Sequence, residues 1–262
     1  DWSSDVCSSD LLGYWEYSAP DFCDINDRDA WYQANPGLGY LVDEETIAEA
    51  VATSSVEATR TETLCQWISA LKSPFPYRAF EDLTVQDLQI IPGRTTIFAM
   101  DIAVTKRTGS LVAAQLMDDG KMAVGVVASF ESNTQIDEMK MAVEINEWAR
   151  KYRPKLICFD KYSTMSIAER LALSGHKTQD MSGQVFYQAC SDLLDAIVNQ
   201  RIIHNGQASL VDSINSCAAK ETDAGWRIVR RKSAGDVSAA IALAMCVHQL
   251  QKPQSKPQII AV

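Results

Sequence analysis

The feature that most constrains this chain is the stretch Thr95 to Asp101, TTIFAMD, an almost unbroken β-forming run that ends on a carboxylate. Its length and apolarity predict a central strand. Side chains alternate across a sheet, so Ile97, Ala99 and Asp101 share one face and Thr96, Phe98 and Met100 the other. The acid therefore stands at the end of an apolar face. An ionised carboxylate buried there costs several kcal/mol without a partner, so it requires a cation, a hydrogen-bond network or water.

The surrounding text reads in order. DWSSDVCSSDL at the front has no helical or strand period and reads as translated adapter sequence at the broken end of an assembled gene, with residues 1–11 a non-native leader. The alternative is a polar tail. Residues 12–92 are acidic, aromatic and turn-rich, with a turn at Asn35-Pro36-Gly37 and a helix opening at Asp43 that carries Ile47, Ala48 and Val51. A second helix is predicted from Thr61 to Leu71, with Leu64, Cys65, Ile68 and Leu71 on one face. No independent core is legible in this segment, which reads as a connector and the remnant of a neighbouring domain.

After Asp101, turns at Arg107-Thr108-Gly109 and Asp118-Asp119-Gly120 separate the strands SLVAAQLM and KMAVGVVASF, an antiparallel meander. A helix follows, capped at Asn133 or Thr134, with Ile136, Met139 and Val143 as its stripe and Ala142, Ile145, Trp148, Ala149 and Tyr152 widening it. LICFD, Leu156 to Asp160, is another short buried strand ending on an acid. Beyond it come a helix near Ser166 to Leu173, a strand near His176 to Met181, a helix from Gln184 to Asn199, RIIH, a helix from Gln207 to Lys220, the strand GWRIVRRK with a basic exit, and a last helix opened by Asp236. Residues 253–262 read as a flexible tail. This is a mixed α/β sheet with helices on both faces.

If a crossover through the long helix sets the two aspartate-tipped strands side by side and parallel, Asp101 and Asp160 emerge at one edge, and Asp236 makes a third acid. Such carboxylates repel one another unless divalent metal is present, and an oxygen-only site suits Mg²⁺ or Mn²⁺. Two such ions about 3.5 to 4 Å apart activate water and stabilise the leaving oxygen of a phosphodiester. Asn in place of Asp101 is expected to leave the metal-free fold unharmed or slightly stabilised by relief of repulsion. Each acid also has a structural reading: Asp101 and Asp160 as acceptors in strand-end turns, Asp236 as a helix cap. Lys106, Arg107, Arg230, Arg231 and Lys232 flank two of the acids and suit phosphate contacts, or form solvated surface. His176, His204 and His248 share no metal-ligand spacing and read as structural.

Net charge of −10 divides into −12 over residues 1–94 and +2 over the remainder, so local basic groups in the larger part meet little global repulsion from DNA. Seven scattered cysteines with no CxxC pair read as reduced thiols, and no apolar run approaches the roughly 20 residues of a membrane span.

FAMDIA, LICFDKYS and SAGDVSAAIALAM, with the upstream W-x-x-ANP-x-LG segment and LCQW, resemble the large terminase subunit of tailed bacteriophages. The resemblance covers residues 14 to about 250 and implies a ribonuclease H-like nuclease domain over 93–252, which in that family follows an ATPase motor and cuts concatemeric double-stranded DNA. It makes Asp101, Asp160 and Asp236 the metal-binding acids. It also implies the small terminase subunit and the portal protein as partners, a ring oligomer only in the full-length protein, and a place at the procapsid portal in the host bacterial cytoplasm. No GxxxxGK followed by Ser or Thr occurs, so ATP belongs only to a missing N-terminal domain. A junction resolvase or transposase-like nuclease of the same fold, and a catalytically silent docking module of the packaging motor, are the alternatives.

Overall fold

A computed structural model describes residues 15–20, 23–54, 56–67, 73–222, 225–233 and 235–252. The leader 1–11 and the tail 253–262 lie outside the described residues. The chain divides into two units between residues 71 and 72.

In the first unit, α1 (Arg28–Ala34) begins at Asp27, whose carboxylate accepts the Asp29 amide at 3.0 Å. Next come α2 (Glu44–Thr53) and a short α3 (Val56–Ala58) that runs into a π-turn at Thr59–Thr63. Ala30, Trp31, Ala34, Leu38, Ile47, Val51 and Leu64 pack into a cluster of their own, which corrects the expectation that no core exists here. The helix expected from Thr61 to Leu71 is corrected too. Helical structure ends at Thr63, Cys65 takes a left-handed φ of 52°, Trp67 is exposed, and residues 68–71 lie outside the described set.

The second unit is built on a six-stranded mixed sheet. Its strands are β1 (Thr96–Ile102), β2 (Thr108–Leu116), β3 (Met122–Glu131), β4 (Leu156–Phe159), β5 (Thr178–Asp180) and β6 (Ile202–His204), in the order β5-β4-β1-β2-β3-β6. The meander β1-β2-β3 is antiparallel, and β4 runs parallel to β1, with Ala99 beside Cys158. The expected crossover through a long helix therefore holds. That helix, α4 (Glu138–Tyr152), starts later than expected: Asp137, rather than Asn133 or Thr134, is the cap and accepts the amides of Met139 and Lys140. Its inward face is Met141, Ala142, Ile145 and Ala149, while Met139 and Val143 are exposed.

Helix α5 (Lys161–Leu173) packs with α4 on the face that carries Phe98, Met100 and Ile102. On the other face, with Ile97 and Ala99, lie α6 (Gln184–Val198), α7 (Ala208–Asn215) and α8 (Ser238–Gln251). The helix read as running to Lys220 stops at Asn215, because Ala219–Thr222 is a strand, β7, paired antiparallel with β8 (Gly225–Ile228). Phe75, Phe80 and Leu83 join this core from the preceding segment. From Ser238 to Leu250 every residue of α8 is buried, as expected for a helix whose sequence, SAAIALAMCVHQL, is apolar all round. The face on which Asp101 stands is therefore covered by α8, and the acid itself is fully buried.

Candidate metal centre at the strand edge

The parallel pairing of β1 and β4 delivers two carboxylates to one edge. Asp101, the residue before the last of β1, is fully buried, and Asp160, directly after β4, is 6% exposed. Asp160 is also the N-cap of α5, its Oδ1 accepting the Tyr162 amide at 3.0 Å. Helix α5 returns the favour to Asp101 through its first turn: Ser163 Oγ donates to Asp101 Oδ1 at 2.8 Å.

Arg230 supplies the charge. It lies in the 3-10 turn Arg230–Lys232 between β8 and α8. Its Nε donates to Asp101 Oδ2 at 3.2 Å and its Nη2 to Asp101 Oδ1 at 2.7 Å. The same Nη2 donates to Asp160 Oδ2 at 2.9 Å. Burial pushes the Asp101 carboxyl above the usual carboxylate range, against the pull of Arg230 and of the Ser163 hydroxyl. Burial would likewise lower Arg230, and the facing carboxylates of Asp101 and Asp160 outweigh it, holding the guanidinium above its ordinary value. The network answers the demand made by the sequence: the buried acid has a cation and hydrogen bonds.

Asp236 is placed differently. It is exposed, one residue ahead of the N-cap Val237, and its Oδ1 accepts the Ser238 amide at 2.9 Å while Oδ2 accepts the Ser238 hydroxyl at 3.0 Å, so it satisfies the first amide of α8 as a cap would. Having given its proton to Asp236, Ser238 Oγ accepts from Ser110 Oγ at 2.9 Å, and Ser110 is the residue opposite Asp101 on β2. Asp236 and Asp101 line one cavity of about 230 Å³ together with Arg230, Val104, Thr105 and Ser238. Among the described residues no group of three His, Cys, Asp or Glu side chains is close enough to hold one metal ion. The structure thus brings together Asp101 and Asp160, and leaves Asp236 among the residues that line the cavity Asp101 borders.

Of the basic residues, Lys106 pairs with Glu138 at 3.3 Å, Arg107 and Arg231 are exposed, and the Lys232 side chain lies outside the described set. Arg230 faces the acids. Glu138 is held below the usual carboxylate range by the Ser166 hydroxyl, with Lys106 adding to it against a burial penalty. The three histidines have structural partners: His176 meets Asn146, His204 meets the Phe80 carbonyl, and His248 meets Asp192. Sequence reading missed Ser163, whose signal was its position three residues after Asp160, in the first helical turn beyond the strand. It also missed Asp180, the acid ending β5, which binds the amides of Lys161 and Ser182.

No family model and no curated protein matches the chain. Solved structures do. The large terminase of bacteriophage HK97 superposes with a TM-score of 0.58 at 20% identity, over 89% of this chain and 56% of that one. The large terminase nuclease of the thermophilic phage G20c matches with a TM-score of 0.52 at 14% identity, over 66% of this chain and 97% of that one. Its magnesium-bound form gives 0.53 at 16% identity, over 69% and 98%. This chain has the fold of the large terminase nucleases. The terminase nuclease fold accounts for the mixed sheet and its helices, and the chain spans about half the length of the HK97 large terminase. Among the described residues no helix is long and apolar enough to cross a membrane.

Proposed function

We propose that this chain is the nuclease part of a viral DNA-packaging terminase, a metal-dependent endonuclease that cuts concatemeric double-stranded DNA. The observation that carries the reading is the convergence of Asp101 and Asp160 on one cation at the edge of a terminase-type sheet. Two carboxylates that share a single guanidinium nitrogen form a hard, oxygen-only, cation-seeking pair, and this fits Mg²⁺ or Mn²⁺. Asp101 and Asp160 would hold metal, and Asp236, across the cavity, would complete the set when two ions are bound. Metal held there would supply an activated water and stabilise the leaving oxygen of a phosphodiester.

The chain's own residues do the rest. Ser163 fixes the orientation of the Asp101 carboxylate, and the Tyr162 amide fixes that of Asp160. Lys106, Arg107, Arg231 and Lys232, on loops flanking the acids, would contact the DNA backbone without reading sequence. Arg230 would join them once freed from the acids. The nuclease domain would comprise 93–252, with 12–92 the connector and remnant of an ATPase domain where ATP would act. The full-length protein would meet the small terminase subunit and the portal protein at the procapsid in the host cytoplasm, and form a ring only there.

The test is supercoiled plasmid incubated with purified protein in Mg²⁺, Mn²⁺ or EDTA. Nicking and linearisation with metal, and intact plasmid in EDTA, are expected. Cleavage persisting in EDTA overturns the metal reading, and cleavage confined to branched DNA favours a resolvase.

A further inference from the structure

The cation at this site belongs to the protein. We infer that Arg230 is a built-in latch: its guanidinium occupies the cation position between Asp101 and Asp160, and metal loads only as that side chain withdraws into the adjoining cavity. The inference rests on the reading of these two acids as metal ligands.

Geometry makes the two occupants exclusive. Nη2 of Arg230 lies 2.7 Å from Asp101 Oδ1 and 2.9 Å from Asp160 Oδ2. A magnesium ion bound by those oxygens on the side the guanidinium faces would fall within the space the nitrogen fills. Arginine does not lose its proton in proteins, so it cannot yield by neutralisation and must move. Its charge opposes an incoming divalent ion as well as blocking it, at a separation where two like charges in a partly buried site interact strongly.

The structure shows which part can move. The backbone of the turn is pinned on both sides: Ser233 Oγ donates to the Val229 carbonyl at 2.6 Å and accepts the Ala218 amide at 3.1 Å. The side chain is the adjustable element. It is 20% exposed and borders the cavity of about 230 Å³ that Asp236, Val104 and Thr105 also line. That volume gives the guanidinium a place to go without unfolding the turn. The latch also explains how a carboxylate as buried as Asp101 stays compatible with a metal-free fold: Arg230 holds the site assembled and silent until metal competes it away.

The test measures Mn²⁺ binding rather than cleavage, by the electron paramagnetic resonance signal of free Mn²⁺ over the full chain, its Arg230→Gln variant and its Asp101→Asn variant. Arg230→Gln should bind Mn²⁺ about tenfold tighter or better than the parent, and Asp101→Asn should bind poorly. Equal affinity in parent and Arg230→Gln overturns the latch while the metal site stands. No Mn²⁺ binding by parent or Arg230→Gln overturns the metal reading itself. If Arg230→Gln does not fold, the parent supplies a second measurement. Its Arg230 Nε–H resonance, assigned by its loss in Arg230→Lys, should shift and exchange faster with water as Mg²⁺ is added, in step with the metal-induced rise in melting temperature. A resonance that stays in place while the melting temperature rises overturns the latch.

Discussion

Ser163 Oγ donates to Asp101 Oδ1 at 2.8 Å, so the first turn of the helix after β4 is tied to the end of β1. The bond makes the two aspartate-tipped strands one unit: Asp160 caps the helix, and the helix, one turn in, steadies Asp101. The site is therefore a product of local capping as much as of sheet topology, since the turn that ends β4 orients both acids.

Removing that tie tests it. Ser163→Ala deletes one donor to a fully buried carboxyl and leaves the Arg230 contacts in place. We expect a loss of about 1 to 2 kcal/mol in urea unfolding, with the slope unchanged, and a lower cleavage rate because Asp101 gains freedom to rotate. Full stability and full cleavage in Ser163→Ala would leave the bond without consequence.

Asp101→Asn reverses an expectation drawn from the sequence. Bare acids crowded together would gain from losing a charge, but here Arg230 lies between them, offsets part of their charge and donates two hydrogen bonds to Asp101. The amide of Asn accepts from Ser163 and Arg230 Nη2 through its oxygen, and sets its own NH₂ against Arg230 Nε. The metal-free protein should lose about 1 to 3 kcal/mol, and cleavage should fall by orders of magnitude. Thermal unfolding in EDTA beside a plasmid assay in Mn²⁺ reads both; a metal-free protein more stable than the parent would restore the repulsion picture.

Stability should fall on the acid side of neutrality. Burial lowers the pKa of His204, whose Nδ1 accepts the Gly206 amide at 3.1 Å and whose Nε2 meets the Phe80 carbonyl at 2.7 Å, a pattern only the neutral ring satisfies. Burial lowers His176 as well. A histidine with a depressed folded pKa contributes stability present above the unfolded value of about 6.5, and that stability is lost as pH falls below it. The urea midpoint should decline from about pH 7 to pH 5, and the decline should be shallower in His204→Gln. An identical pH slope in the variant would exonerate His204.

Much of this fold was legible because its signals are local. The alternation in TTIFAMD assigned Ile97 and Ala99 to one side and Phe98 and Met100 to the other, and the two core clusters divide along that line. The parallel placement of LICFD beside it followed from the single long helix between them. What stayed hidden depends on contacts distant in sequence. Arg230 reads as one more member of a basic run, and nothing in RIVRRK announces that Arg230 turns inward while Arg231 is exposed. Asp137 was passed over as a cap because the polar stretch ESNTQID offers several capping residues in a row. On α4 the expected stripe fails at Met139 and Val143, which are exposed, while Met141, two residues beyond Met139 and equally apolar, faces inward; only packing chooses between them.

Asp236 is where a cap and a metal ligand compete for one side chain. Its Oδ1 takes the Ser238 amide and its Oδ2 the Ser238 hydroxyl, so the capping role is present without metal. Asn preserves that role: its oxygen accepts the amide, its NH₂ donates to Ser238 Oγ, and Ser238 then turns its own proton toward Ser110. Asp236→Asn should therefore cost at most a few tenths of a kcal/mol in the metal-free protein. A neutral amide is nonetheless a poor ligand for a hard divalent ion, so a ligand role predicts a smaller metal-induced rise in melting temperature and slower cleavage in the same variant. Asp236→Ala should add the loss of the cap, about 1 kcal/mol, to the same loss of activity. Comparing the three proteins by thermal unfolding with and without Mn²⁺, and by plasmid cleavage, separates the roles. If Asp236→Asn cleaves like the parent and responds to metal like the parent, Asp236 is a cap alone, and the metal centre rests on Asp101 and Asp160.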